Sequence, residues 1–140
     1  MPLEPQLKSQ LEALANLIRR DSIDLTTAAG SGHPTTCMSA ADIMSWVFFR
    51  ELRLDESDLD HVAADKYIFS KGHAAPLLYA LLYRLGYLEA SELASFRKIG
   101  SRLEGHPTLR LPGVVAATGS LGQGLSIGVG MAEVYRRAGS

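Results

Sequence analysis

The 140-residue chain has a single cysteine, Cys37, which excludes an intrachain disulfide framework and fits a reducing compartment. An excess of charge of either sign is also missing. Its 14 Lys and Arg against 15 Asp and Glu leave a net charge of −1, too little for a nucleic-acid surface, so phosphorylated partners have to be held by local geometry. No apolar run approaches the ~20 residues of a membrane span, and Met1-Pro2-Leu3-Glu4-Pro5 lacks the basic and apolar parts of a signal peptide. These absences predict a cytoplasmic protein with neither membrane nor nucleic acid as a partner. Low-complexity tracts are absent as well, and 46% hydrophobic with 21% charged residues is a globular composition suited to one domain.

What is present is mostly helical. Leu7, Leu11, Leu14, Ile18 and Leu25 keep one face over residues 8–26 and predict an amphipathic helix that ends in Ala28-Ala29-Gly30-Ser31-Gly32. His33 precedes Pro34 and is expected in an extended bend. Ser39-Ala40-Ala41-Asp42 resembles a capping box ahead of the apolar run 43–49, and 55–60 reads as a charged connection. Residues 67–70 form the strongest strand pattern, followed by a helix over 74–85 with Pro76 in its first turn and Gly86 as its stop. A short helix is expected at 91–99 and a second strand at 114–117. The last helix carries Gly124, Gly128 and Gly130, and its apolar residues 125–132 suit a buried position. Strand, turn and helix in that order is the unit of a parallel α/β sheet; two such strands would be underfilled, so we expect part of a larger domain.

Two features point to chemistry. The turn Gly119-Ser120-Leu121-Gly122-Gln123-Gly124 follows a predicted strand and opens a helix, so bare backbone and free N–H groups face whatever lies beyond it. It matches neither the dinucleotide fingerprint nor a P-loop. Glycine fills 13 of 140 positions, so one should precede a given residue about one time in ten, yet His33, His73 and His106 each follow one. Imidazoles in such turns donate or accept protons near neutrality, and three converging on one cleft would suit a substrate with hydroxyl and carbonyl oxygens. His61 lacks this setting. His33 and Cys37, four apart, raise a zinc reading, but Pro34 interrupts their shared face and no second His or Cys pair is present, so no metal ligand is assigned within the chain.

Four segments in order, 27–35, 69–79, Gly105-His106-Pro107 and 117–124, resemble the transketolase family at the start of its thiamine-diphosphate-binding domain. The resemblance implies an incomplete α/β fold over residues 1–140, a helix-rich N-terminal part with the first parallel strands. It implies a thiamine-diphosphate-dependent transferase moving a two-carbon ketol unit between sugar phosphates. By likeness, Thr36, His73, Gly119, Ser120 and Leu121 contact the cofactor, and His33 and His106 meet the donor ketose as catalytic residues. The family's Gly-Asp-Gly and later Asn, which hold Mg²⁺ or Ca²⁺, and the glutamate contributed across a homodimer interface fall outside these 140 residues. The chain alone is therefore expected to be inactive and to need the rest of the enzyme or a partner subunit. A non-catalytic remnant acting as an interaction module, and a sibling ketolase such as dihydroxyacetone synthase, stand as alternatives.

Overall fold

The computed structural model describes residues 4–55, 58–61 and 63–139. Its frame is α1, Pro5–Ala29, packed against α2, Pro34–Trp46, and α3, Ala75–Arg84. Pro5 begins α1, where its missing N–H costs nothing, and Gly30 ends it in the left-handed region at φ 58°, returning its N–H to Thr26 and Thr27. The inward face repeats at helical spacing through Ala15, Ile18, Ser22 and Leu25. Its buried hydroxyls are satisfied within the helix, Ser22 Oγ donating to Ile18 O at 2.8 Å and Thr26 Oγ1 to Ser22 O at 3.0 Å. Asp21, also on this face, accepts two 2.7 Å hydrogen bonds from the Arg84 guanidinium and ties α1 to the end of α3.

Helix α2 starts at Pro34, with His33 as the flanking residue at φ −127°. The capping box expected at Ser39 is therefore not a helix start. Ser39 lies inside α2, its Oγ donating to Thr36 O, because proline five residues earlier has already set the first helical φ. Cys37, Ala41 and Ser45 form the buried stripe, and a π-helical turn, Val47–Glu51, follows and buries Phe48. Of the connection 55–60, residues 56 and 57 lie outside the described residues.

A 3₁₀ turn, Gly72–Ala74, leads into α3, in which every residue from 75 to 82 is buried. Gly86 follows at φ 87°, as the stop signal predicts. Only α4, Ala90–Leu93, is helical in the expected 91–99 stretch; a capping box between Glu89 and Glu92 starts it and turns follow. After the irregular segment 100–122 comes α5, Gln123–Ala138, entered through Gly122 at φ 90°.

The helix-rich part of the expected fold is present, while among the described residues there is no strand, so these residues do not establish the α/β class with parallel strands. Segments 67–70 and 114–118 do meet, but through Thr118 Oγ1 donating to Phe69 O at 2.8 Å, while Ser70 N turns back to Ile68 O. Phe69 O and Ser70 N are thus engaged outside any backbone ladder. Helix α5 exists but is not buried: Leu125, Val129 and Val134 are 74%, 62% and 66% exposed, and only Gly124 is covered.

Candidate functional site

The site forms where the end of α1, the start of α2, the turn into α3 and the loops 105–106 and 118–122 come together. Each glycine ahead of a histidine sits where a side chain would collide with the protein. A methyl group at Gly32, whose φ is 140°, would lie 2.5 Å from Thr26 Cγ2; at Gly72 it would lie 2.6 Å from the Thr118 carbonyl carbon and 2.7 Å from Gly119 N. At Gly105 it would lie 2.7 Å from Arg97 Nη2. The glycines thus allow chain segments to approach one another, and the histidines are carried along with them.

His33 and His73 meet edge to face with ring centroids 5.4 Å apart, and Thr36 Oγ1 lies 3.1 Å from His73 Nε2. From the other side, His106 lays its ring edge on Gly119, Cδ2 being 3.3 Å from where a β-carbon would stand. Burial holds His73 below the ordinary imidazole range, and the positive charges that His33, Lys71 and His106 can carry lower it further. At neutral pH His73 is therefore a neutral donor and acceptor, with Thr36 in hydrogen-bonding reach. His33 and His106 are exposed, Gly119 is half-buried, and Ser120 and Leu121 stand exposed in the turn before α5. The surface so formed is open. One concavity of about 510 Å³ has His106, Gly105, Glu104 and Arg97 in its wall, and another of about 420 Å³ lies between Ile68, Lys66 and the α5 residues Gly128, Met131 and Tyr135. We place the site at the histidines because the convergent polar groups are there.

Residue roles that sequence patterns did not single out also emerge. Lys71 reaches Thr36 O at 3.5 Å and Ser39 Oγ at 3.4 Å, adding a cation beside His73. Buried Thr118 pins the glycine turn to Phe69. Buried Tyr79 donates to Glu104 O at 2.7 Å and so fixes the loop that carries His106. Lys71, Thr118 and Tyr79 all lie inside the motif segments, and only their contacts separate them from their neighbours. His61 is remote, its Nδ1 accepting from Ala63 N. Cys37 is buried, which pushes its thiol up and keeps it protonated and a poor metal ligand. Among the described residues no group of three His, Cys, Asp or Glu is placed to hold a metal ion, and no helix is long and apolar enough to cross a membrane.

Comparison with known proteins gives one family. Residues 10–139 match the family described as "Transketolase, thiamine diphosphate binding domain". The chain is 48% identical over 129 residues to transketolase of Pongo abelii and to that of Homo sapiens, covering 92% of itself and 21% of each relative. Among solved structures, transketolase from Leishmania mexicana superposes with a TM-score of 0.83 at 40% identity, over 87% of this chain and 18% of that one. A Pichia stipitis transketolase complex with sedoheptulose 7-phosphate superposes with a TM-score of 0.76 at 36% identity, over 89% and 18%. The chain thus spans about a fifth of the length of the curated relatives it matches.

Proposed function

Because the chain belongs to the transketolase family, in its thiamine diphosphate binding domain, we propose that it supplies the diphosphate-facing and ketose-facing wall of a thiamine-diphosphate-dependent ketol transferase. The observation that carries this reading is the grouping of Thr36, His33 and His73, with His106 laid on the Gly119 turn, on one open surface. When bound, the cofactor supplies the carbanion-stabilising centre through which a two-carbon unit passes from a ketose phosphate to an aldose phosphate. The residues present fit its polar end. His73 offers a neutral ring N–H donor and Lys71 beside it a positive charge, and the backbone from Gly119 through Leu121 is exposed enough for close approach. A diphosphate beside His73 raises the imidazole pKa, reversing the effect of burial.

His33 and His106, exposed on either side of His73, donate hydrogen bonds to the C1 hydroxyl and carbonyl oxygen of the ketose and move or hold a proton there. Sugar phosphates are the proposed substrates, in keeping with the sedoheptulose 7-phosphate complex of the Pichia stipitis relative. Residues 1–140 would be the N-terminal portion of the domain. Its segments 67–70 and 114–117 would become parallel strands once neighbouring strands supply a ladder. Ligands for Mg²⁺ or Ca²⁺, the activating acid and a homodimer partner would come from sequence beyond these residues.

Substitution in the protein carrying the complete domains separates the roles. His73→Ala should weaken cofactor affinity while leaving turnover at saturating cofactor within a few fold, whereas His106→Ala should lower turnover by about 10²-fold or more at unchanged cofactor affinity. The reverse pattern would exchange the two assignments. Calorimetry with the 140-residue chain, thiamine diphosphate and Mg²⁺ should show weak binding or none; tight binding would sink the placement of the metal ligands elsewhere.

A further inference from the structure

We propose that Arg97 is a positioning residue that sets the separation of His33 and His106 by clamping together the loops that carry them. Residue 97 is the only described non-glycine in the left-handed region, at φ 59°, and its N–H is held by Leu103 O at 2.9 Å. An unfavourable backbone persists where its surroundings over-determine it, and here the side chain shows what it is held for. The guanidinium donates from Nη1 to Ser31 Oγ at 2.6 Å, two residues before His33. It lies flat along Gly105, one residue before His106, so closely that a methyl there would fall 2.7 Å from Nη2, 2.9 Å from Cζ and 3.0 Å from Nε. Its base is fixed by Phe96, which is buried, lies 5.6 Å beneath the Arg97 cation and packs edge to face on Tyr79. One planar group thus spans both loops from an anchor in the core. A lysine keeps the charge but loses the fork that reaches both.

Gly105 accordingly makes room for Arg97, since its own φ is not in the left-handed region and the three atoms nearest a β-carbon there all belong to the Arg97 guanidinium. The significance of the clamp for catalysis rests on the reading that His33 and His106 face one ligand. Its geometry does not, and the test uses no cofactor.

In the 140-residue chain with labelled histidines, the cross-peak between His106 Hδ2 and the Gly119 α-protons reports the loop position, and that between the Phe48 and Tyr67 rings, whose centroids lie 4.8 Å apart, reports the core. Arg97→Gly removes the clamp and relaxes the backbone, so thermal stability should hold or rise while the His106–Gly119 cross-peak weakens. A loosening of ~1 Å, the scale on which a poorly supported site fails, reduces it roughly threefold. Gly105→Ala should reproduce that loss by displacing the guanidinium, Arg97→Lys should not rescue it, and the Phe48–Tyr67 cross-peak should stay constant throughout. The clamp is overturned if both Arg97→Gly and Gly105→Ala leave the His106–Gly119 cross-peak at full strength, or if both cross-peaks fade together with falling stability. Failure of the protein carrying the complete domains to bind thiamine diphosphate, with the clamp intact, would count against the proposed function alone.

Discussion

Helices α3 and α5 are built alike, an apolar run opened by a glycine turn, yet they end in opposite surroundings. Residues 75–82 of α3 are all buried, whereas α5 covers only Gly124 and leaves Leu125, Val129 and Val134 to solvent. Helix α3 finds α1 and α2 within the chain; α5 touches it along one edge, Gly124 over Ser70 and Gly128 near Ile68. Apolar pattern therefore states a demand for burial, and the neighbours available decide whether it is met. The largest expected effect tests this. Leu78→Ala, at a fully buried position, should cost about 3 kcal/mol in chemical denaturation, and Leu125→Ala should stay within about 0.5 kcal/mol. A comparable loss at Leu125 would mean that α5 is covered in solution and the contrast is false.

Next in size is the seam between the two regions. A methyl at Gly72 would overlap the Thr118–Gly119 backbone, which cannot swing aside as a side chain can, so Gly72→Ala should cost about 2 kcal/mol and push the glycine turn away from His73. Denaturation midpoints and the His73 imidazole resonances would register both. An unchanged midpoint would show that the loop passes farther from α3 than the structure has it.

Gly72 also shows how much of the molecule was legible in advance. Glycine before three histidines marked positions that the structure brings near one another, grouping His33, His73 and Thr36 and setting His106 on Gly119. The reason differs from the one the pattern suggested: these β-carbon positions face Thr26, Thr118 and Arg97, all parts of the protein. Helices α1 and α3 followed from periodicity and stop signals because their partners lie in the same chain. The start of α2 was misplaced because the serine-to-aspartate spacing at 39–42 competed with Pro34, and proline prevailed. Strands at 67–70 and 114–117 were not realised, since strand pattern is local and a ladder is not. Arg97 carries no sequence signal, because its role lies in a backbone angle and two distant contacts.

A smaller effect, of opposite sign, sharpens the comparison. Gly130 lies inside α5 with nothing within 4 Å of its β-carbon position, so Gly130→Ala should raise stability by about 0.5–1 kcal/mol, the helix-propensity difference. In a protein that carries the complete domain, an element packed on that face would turn the gain into a loss. Measuring both distinguishes an edge that is bare by design from one that awaits a neighbour; a gain in both would mean that the glycine serves no close contact.

The smallest effect belongs to pH and is centred on the seam. His73 is held below its ordinary value of 6.5, first by burial and then by His33, Lys71 and His106. The unfolded imidazole therefore takes up its proton at a higher pH than the folded one. The contribution of His73 to stability is complete above about 6.5, falls as pH drops towards the lowered folded value, and changes no further below it. His73→Gln should flatten this part of the profile. Salt should recover part of the shift and not all of it, since screening weakens the repulsion among cations but not the desolvation. Inorganic pyrophosphate should act the other way, raising the His73 midpoint in an imidazole titration by adding negative charge where the site now offers only positive. If pyrophosphate leaves that midpoint unmoved at saturating concentrations, Lys71 and His73 are not arranged for a diphosphate, and the seam is only a place where two parts of the fold touch.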